Sequence, residues 1–403
     1  MADAATGVGV FLHVDFPDSF QAGIEIELCM KPDATFRSRR SAIWSLALLA
    51  PVLLLVLAGC EFVVQPLGGS EGRTQVYVYQ GKQGAPNGGI ICTRIGVIVI
   101  DPPLTPTVGA AMQAEAISRS KIFWDNFHAK RSEHQRTQAP PVLYVLNTTF
   151  RASHTFGNQV FEKADVISSS RAKEQMELIG RDMREELRDQ WKIPGLETHA
   201  ITPATLTVDG TMTLDTPEVK VQFISVGDCV GAGDAVVYLP GQKVLFAGDL
   251  ILPKFVPYYK SRTLTVRHWI DALKAIEKWD IETIVPGHGE VARKDAIKAQ
   301  REFLEDLVAE TAAAIKAGKT QQQAMQTVKL PKYAQWTRYD EWLPENVRLV
   351  YQELQTPVKE DAKTDVPFEK NGLRAIDVND PRSGGAGAVK PEVIERNDGY
   401  HEK

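Results

Sequence analysis

The chain has 403 residues, of which 43% are hydrophobic and 24% are charged, and this composition is typical of an ordinary globular protein. Its formal net charge is -5, so there is no basic excess with which to neutralise phosphates, and this argues against a nucleic-acid-binding function. The four cysteines, Cys29, Cys60, Cys92 and Cys229, are far apart and form no CxxC pair. They therefore predict neither a disulfide framework nor a cysteine zinc knuckle.

An almost uninterrupted apolar segment occupies residues 42–59 and follows a cluster of arginines. A basic region, an apolar core and small residues at the cleavage point are typical of a secretory signal. The segment ends in Leu-Ala-Gly-Cys at residues 57–60, and this closely resembles the signal of a bacterial lipoprotein. The resemblance implies a signal peptide over residues 30–59, cleavage before Cys60 and attachment of lipid to its thiol. A transmembrane helix is the alternative, because about 18 apolar residues can just span a bilayer.

The residues on either side of this signal lead to further expectations. Met30 stands where a signal would start, so residues 1–29 are interpreted as an extension from a misplaced gene start. Residues 60–74 are predicted to be a polar tether. The Arg-Arg pair also resembles a twin-arginine export motif, and both export routes stay open. Because Glu61 is not the aspartate associated with inner-membrane retention, the expected location is the periplasmic face of the cell envelope, leaning towards the outer membrane.

Short runs of β-branched and aromatic residues follow the tether, and glycine and asparagine separate them. They predict β-strands at residues 76–79, 89–93, 97–100 and 142–146. Helices are predicted at residues 107–139 and 171–191, the second of them strongly amphipathic.

The second half of the chain repeats this succession of strands and helices. Strands are predicted at residues 206–208, 212–214, 219–224, 235–239, 244–246 and 283–285, and helices at residues 265–279 and 292–317. Two β-rich halves, each followed by helices, indicate an α/β (α+β) fold, a four-layer αββα sandwich, in one domain over residues 75–355. Residues 356–403 are rich in Lys, Asp, Pro and Gly and predict an irregular or disordered tail.

Polar residues stand where several predicted strands end, which is where an α/β protein presents side chains for chemistry. The segments concerned are residues 147–154, 227–234, 248–249 and 286–289. In this order and spacing they resemble the metallo-β-lactamase superfamily. The strongest elements of the resemblance are VVYLPGQKVLFAGDL at residues 236–250 and ETIVPGHGEV at residues 282–291.

The resemblance implies a hydrolase in which His, Asp and sometimes Cys hold one or two zinc ions, and the metal activates a water for attack on the substrate. Carried onto this sequence, three ligand positions of the superfamily are retained, as His154, Asp249 and His288. Asp101 matches a position that supports the ligand loop. Two imidazoles and one carboxylate suffice for a catalytic zinc or iron site with open positions.

The other ligand positions carry residues that are poor metal ligands or none at all: Thr149, Arg151, Ser153 and Val230. In two-metal members, the first zinc is held by the positions of Thr149, Arg151 and Val230. Valine has no donor atom, and arginine is always charged and does not coordinate. Arg151 is instead expected to pair with Asp249, because a buried carboxylate without a cationic partner is strongly destabilising.

Two hypotheses about function stay open. The first is a hydrolase with at most one metal ion, Zn or Fe, that activates a water as the nucleophile. The second is a metal-free accessory lipoprotein in which Arg151 replaces the charge of the metal and the cleft binds a small-molecule or anionic ligand. A β-lactamase activity is not inferred, because a fold does not specify a substrate.

Several other polar residues are predicted to be structural. Asp228 and Cys229 are interpreted as a loop cap and a buried free thiol rather than as substitute ligands. His128 and His134 lie in a charged segment and are predicted to be solvated, whereas His268 is predicted to be a surface or packing residue.

Overall fold

The computed structural model describes residues 62–67, 75–82, 85–129, 138–190, 192–257, 265–356 and 376–377. The predicted extension at residues 1–29, the predicted signal peptide with Cys60, His134 and most of the predicted tail lie outside these ranges. No helix within them combines the length and the hydropathy that crossing a membrane requires.

The first half of the chain builds a seven-stranded sheet in the order β1 to β7. Its strands are β1 Phe62–Pro66, β2 Val76–Gly81, β3 Gly88–Cys92, β4 Val97–Ile100, β5 Val142–Leu146, β6 Asp165–Ser168 and β7 Leu206–Thr207. The strands from β1 to β4 pair antiparallel, and those from β4 to β7 pair parallel. Because β4 and β5 are parallel, the polar loops that follow them leave the sheet at the same edge.

The second half builds a six-stranded sheet in the order β12-β11-β10-β9-β8-β13. Its strands are β8 Thr211–Asp215, β9 Lys220–Gly227, β10 Asp234–Leu239, β11 Val244–Gly248, β12 Thr283–Pro286 and β13 Ile376–Asp377. The pairing of β11 with β12 is parallel, whereas β8, β9, β10 and β11 pair antiparallel in turn. Residues directly after β11 and β12 therefore emerge side by side.

Seven α-helices flank the sheets in the described ranges. They are α1 Pro106–Phe127, α2 Ala152–Thr155, α3 Ser170–Asp189, α4 Val266–Ile276, α5 Asp295–Lys316, α6 Gln321–Thr327 and α7 Tyr339–Gln355. The hydroxyl of Thr105 caps α1 by accepting from the Val108 N–H, and Pro106 supplies a favourable first helical residue. The hydroxyl of Ser169 caps α3 in the same way, by accepting from the Ala172 N–H.

Three hydrophobic cores separate these layers. In β2, Val76 and Val78 point into the core between the two sheets, whereas Tyr77 and Tyr79 pack with the buried face of α1. The other side of the second sheet packs against α4, α5 and α7 through a third core that includes Trp269. The layer order is helix, sheet, sheet, helix, and the predicted four-layer αββα sandwich is confirmed.

Two predictions about the first half of the domain differ from the structure. The helix predicted to reach residue 139 ends at Phe127, where His128 donates its backbone N–H to Asn126 and Trp124 carbonyls. His128 is buried rather than solvated, because the rings of Trp124 and Phe127 pack around its imidazole. The aromatic residues of this segment thus cover a histidine that the surrounding charges had suggested was exposed.

The ends of the domain also differ from the prediction. Phe62–Pro66, placed within the predicted tether, forms strand β1 and pairs with β2 along its whole length. The domain therefore begins at least as early as Phe62 rather than at residue 75. Within the predicted tail, Ile376–Asp377 pairs parallel with β8 and extends the second sheet.

Candidate metal centre

The candidate site lies where loops from both sheets meet. Asp101 directly follows β4, and the loop after β5 carries Arg151 and leads into the short helix α2 with His154. From the second sheet, Asp249 directly follows β11, and His288 lies in the turn after β12. The parallel pairs β4–β5 and β11–β12 therefore deliver the predicted residues to one place.

Three side chains converge closely enough to hold one metal ion. Nε2 of His154 lies 3.1 Å from Oδ1 of Asp249, and Nε2 of His288 lies 3.6 Å from the same oxygen. All three donor atoms lie within 4.8 Å of one another. Among the residues that the structure describes, this is the one group of three His, Cys, Asp or Glu side chains with donor atoms so close together.

Asp101 orients His154 from behind. Its carboxylate accepts hydrogen bonds from the backbone N–H and the hydroxyl of Thr148, at 2.8 Å and 2.6 Å. This fixes Oδ2 of Asp101 at 3.3 Å from Nδ1 of His154, so the other ring nitrogen faces Asp249. A carboxylate on the far nitrogen of a histidine is the usual arrangement behind a metal-binding imidazole.

The electrostatics of this group are dominated by the two carboxylates. Burial alone would lower the pKa of His154, but Asp249 and Asp101 raise it to about 10. Burial alone would raise the pKa of Asp249, but the facing His154, His288 and Arg151 hold it well below its ordinary range. The carboxylate of Asp249 is therefore ionised and surrounded by cationic groups.

Arg151 stands on the other side of Asp249. Its Nε lies 3.7 Å from Oδ2 of Asp249, and its Nη2 donates to the Val230 carbonyl at 2.9 Å. The expected pairing of guanidinium and carboxylate is thus present in the structure. The guanidinium is thus held by an ion pair with the Asp249 carboxylate on one side and by a hydrogen bond to the Val230 carbonyl on the other.

The remaining altered positions offer no second set of ligands. The side chain of Val230 is buried in the core under α4, and only its backbone faces Arg151. Thr149 is buried, and its hydroxyl has no hydrogen-bond partner among the described residues. Ser153 precedes His154 on α2 and is half-buried.

Asp228 and Cys229 have the structural roles predicted for them. Oδ1 of Asp228 accepts from the Gly233 N–H at 2.8 Å, while Oδ2 pairs with Arg171 at 2.9 Å. The thiol of Cys229 is buried, burial raises its pKa well above the ordinary value, and it donates to the Val226 carbonyl. A thiol in that state is a poor metal ligand. His268 is likewise buried, with Nε2 at 2.7 Å from the Val226 carbonyl.

Asp234 is a residue of the site that sequence reasoning did not assign. It begins β10, is 3% exposed, and its Oδ2 accepts from the N–H groups of Val230 and Gly231 at 2.6 Å and 2.7 Å. Burial raises its pKa to about 6, although these backbone bonds and the nearby Arg151 act in the opposite direction. The sequence pattern that could have identified Asp234 is an aspartate at the end of a glycine-rich loop, directly before an apolar strand.

Asn87, in the loop between β2 and β3, is a second residue that was missed. Its backbone N–H donates to the Gly287 carbonyl at 2.7 Å, and its side-chain amide donates to Pro286 and Gly289 carbonyls. Pro86 forms an isolated antiparallel bridge with His288. The loop of the first sheet therefore fixes the turn that carries His288.

The backbone approaches Asp249 closely at Gly287. A Cβ atom at this position would lie 2.4 Å from Oδ1 of Asp249 and 2.8 Å from the carbonyl carbon of Gly248. Only glycine leaves the carboxylate where it is, so the Pro-Gly-His-Gly turn serves Asp249 as well as His288.

Comparison with known families agrees with this geometry. The family model of the metallo-beta-lactamase superfamily matches residues 81–288, just over half of the chain. The chain belongs to the metallo-beta-lactamase superfamily. The matched residues include Asp101, His154, Asp249 and His288. A search of curated proteins found no match.

Solved structures with the same fold are distant in sequence. The stereoselective inverting sec-alkylsulfatase Pisa1 from Pseudomonas sp. is 19% identical with a TM-score of 0.51, and the match covers 72% of this chain and 51% of the sulfatase. This chain thus spans about half the length of that sulfatase. A metallo-beta-lactamase from Pontibacter korlensis is 16% identical with a TM-score of 0.43, over 61% of this chain and 99% of that enzyme. At these identities the likeness extends to the fold alone.

The residues present fit one of the metal ions that this superfamily implies. His154, Asp249 and His288 provide two imidazole nitrogens and a carboxylate, which suit zinc or iron. Metal ligands must be deprotonated, so an ion here would displace the proton that the carboxylates hold on His154. The position of the first zinc does not fit an ion, because a guanidinium and an apolar side chain stand where imidazoles would be needed.

Proposed function

We propose that this member of the metallo-beta-lactamase superfamily is a hydrolase with at most one metal ion, held by His154, Asp249 and His288. The observation that carries the proposal is the convergence of three donor atoms within 4.8 Å on loops from both sheets. Zinc or iron at such a site supplies Lewis acidity and an activated water. The side chain of Asp249 holds both histidines in position, and Asp101 fixes the ring of His154 so that Nε2 faces the centre.

Arg151 has a distinct part in this proposal. It supplies a fixed positive charge 3.7 Å from Asp249, at the edge of the centre where superfamily members with two ions hold the first zinc. A guanidinium presents planar donors that suit a carboxylate, sulfate or phosphate. It orients an anionic substrate and stabilises negative charge that develops during hydrolysis.

The ion pair between Arg151 and Asp249 supports a second candidate function. In a metal-free form, this pair and the imidazolium of His154 already neutralise the buried Asp249. The protein would then be an accessory lipoprotein whose cleft binds a small-molecule or anionic ligand without catalysis. We place either form at the periplasmic face of the cell envelope, anchored through lipid on Cys60 and leaning towards the outer membrane.

The metal content of the purified protein separates the two candidates. About one zinc or iron per chain, lost in His288→Ala, supports the hydrolase. No metal, together with a melting temperature that a chelator leaves unchanged, supports the metal-free alternative. Two tightly bound ions per chain would contradict both. His268→Ala is the control, because this histidine lies outside the centre, so its removal leaves the metal content unchanged.

A further inference from the structure

We propose that the lipid anchor holds the mouth of the candidate metal centre against the membrane, so that the centre takes an anionic amphiphile from the leaflet. The inference rests on the proposed attachment of lipid to Cys60. It follows from the position of β1, which the structure places next to the loop that fixes His288. An anionic amphiphile is a narrower ligand class than the small-molecule or anionic ligand of the proposed function.

Strand β1 leaves almost no slack between the lipid and the folded domain. Phe62 is the first residue of β1, and it pairs with Gly81 at the end of β2. Its ring also stacks on Tyr79 with centroids 4.5 Å apart, so the start of the strand is fixed on the sheet. Because Cys60 precedes Phe62 by two residues, the chain between them spans about 7 Å at most.

The fixed end of β1 adjoins the candidate centre through a short series of contacts. The N–H of Gly81 donates to the side chain of Asn87 at 3.0 Å, and Asn87 is bound to the backbone of the His288 turn. Pro86 pairs directly with His288. Summed over strand spacings and chain reach, Phe62 lies about 20 Å or less from His288, in a domain that is about 50 Å across.

The opposite end of the same strands lies away from the anchor. β3 and β4 are joined by the turn that contains Ile95, which is 56% exposed. Going from Gly81 to Val76 along β2 leads about 17 Å towards that turn. A lipid on Cys60 therefore places the residues around Lys82 near the headgroups and Ile95 away from them.

This geometry decides which ligands reach the centre first. A centre held close to the headgroups meets molecules that lie in the leaflet, where their local concentration far exceeds that in solution. The positive charge of Arg151 selects those with anionic headgroups. An acyl chain remains in the bilayer while the headgroup enters the centre.

The orientation is tested with nitroxide labels on the lipidated mature protein, cleaved before Cys60, in vesicles of phosphatidylethanolamine and phosphatidylglycerol that contain a nickel-chelating lipid. The labels are placed in Lys82→Cys and, as the matched control, Ile95→Cys, both at exposed positions. Cys92 and Cys229 are buried and burial raises the pKa of both thiols, so they do not react with the label. We expect nickel to enhance relaxation several-fold more at position 82. Equal or reversed enhancement overturns the inference.

The ligand class is tested with bimane attached to Glu290→Cys, an exposed position beside the His288 turn, with bimane at Ile95→Cys as the control. The probes are dihexanoylphosphatidylglycerol and its deacylated form, glycerophosphoglycerol, which share the phosphodiester headgroup and differ in the acyl chains. We expect the lipid to change the emission at position 290 alone, at a concentration at least about tenfold lower than glycerophosphoglycerol. Equal potency of the two probes, or no response to either, overturns the inference.

Mass spectrometry of the peptide with Cys60 separates the possible failures. An unmodified thiol there contradicts the proposed anchoring, and the inference fails with it. A lipidated Cys60 together with stronger nickel enhancement at position 95 leaves the anchoring intact and overturns the orientation alone.

Discussion

The two halves of the metal centre differ sharply, although one loop contributes to both. On one side, His154, Asp249 and His288 bring three donor atoms together with a carboxylate behind His154. On the other side, the guanidinium of Arg151 lies 3.7 Å from Asp249 and donates to the backbone carbonyl of Val230. The first half fits a metal ion, and the second carries a permanent positive charge that needs none.

Asp249 requires positive charge from both halves of the candidate centre. It is 6% exposed and ionised, so it needs cationic partners whether or not a metal is bound. One oxygen faces the two histidines, and the other faces the guanidinium. A metal ion bound here would therefore replace a proton on His154, while Arg151 would still face the other oxygen of Asp249.

Removing Asp249 has the largest expected effect, because it takes from the Arg151 guanidinium its facing carboxylate and leaves the buried imidazolium of His154 with one carboxylate, Asp101, instead of two. We expect Asp249→Ala to lower the free energy of unfolding by about 3–5 kcal/mol, measured by urea denaturation with and without a chelator. Asp215→Ala is the control, because its pair with Lys220 is solvent-exposed and contributes less than about 1 kcal/mol. A loss at Asp249 no larger than that of the control would show that the carboxylate does not organise the centre.

A second buried histidine, His199, has the opposite pKa shift to His154 and therefore gives the stability a different dependence on pH. His199 is 2% exposed and packs on Phe156, and neither ring nitrogen has a hydrogen-bond partner among the described residues. Burial and the nearby Arg184 lower its pKa from 6.5 to about 4, the opposite of the shift at His154. Between pH 6.5 and 4 the unfolded chain therefore binds a proton at His199 that the folded protein does not.

The contribution of His199 to the free energy of unfolding is therefore fully present above pH 6.5. It is lost as the pH falls towards 4, and the total loss is about 3 kcal/mol. We expect this pH dependence to disappear in His199→Leu, measured as the difference in unfolding free energy between wild type and variant at several pH values. A difference that stays constant from pH 7 to pH 4 would mean that folding does not lower the pKa of His199.

The sequence predicted those features of the fold and the site that have local signals, and it missed those that depend on contacts between distant segments. Apolar periodicity and polar strand ends predicted the sandwich, and a motif placed Asp249 and His288, because these signals are local in sequence. The roles of Asp234 and Asn87 depend on contacts between distant loops, such as the bond from Asn87 to Gly287. The strand Phe62–Pro66 was missed because its apolar residues directly follow the predicted signal peptide and pair with β2 only across a polar loop.

Gly287 tests how tightly Asp249 is held. A methyl group there would lie 2.4 Å from the carboxylate, so Gly287→Ala should displace Asp249 and lower the unfolding free energy by about 1–3 kcal/mol. Gly241→Ala is the matched control, because no atom lies within 4 Å of a Cβ at that position. The comparison is made by thermal unfolding, and the metal content should fall only in Gly287→Ala. Equal melting temperatures would indicate that the turn yields without moving the carboxylate.

Arg151→Met tests whether the guanidinium weakens metal binding at the other half of the candidate centre. Its expected effect on the free energy of zinc binding is the smallest of those predicted. Methionine keeps an unbranched side chain but removes a charge that repels a divalent ion across Asp249. If one ion binds beside a permanent cation, removing that cation should tighten zinc binding at least about tenfold, measured by competition with a chromophoric chelator. Arg171→Met, which removes a guanidinium paired with Asp228 on the surface, should leave the affinity unchanged. Weaker zinc binding in Arg151→Met would mean that the guanidinium positions Asp249 for the ion, and the two halves would then act as one site rather than as alternatives.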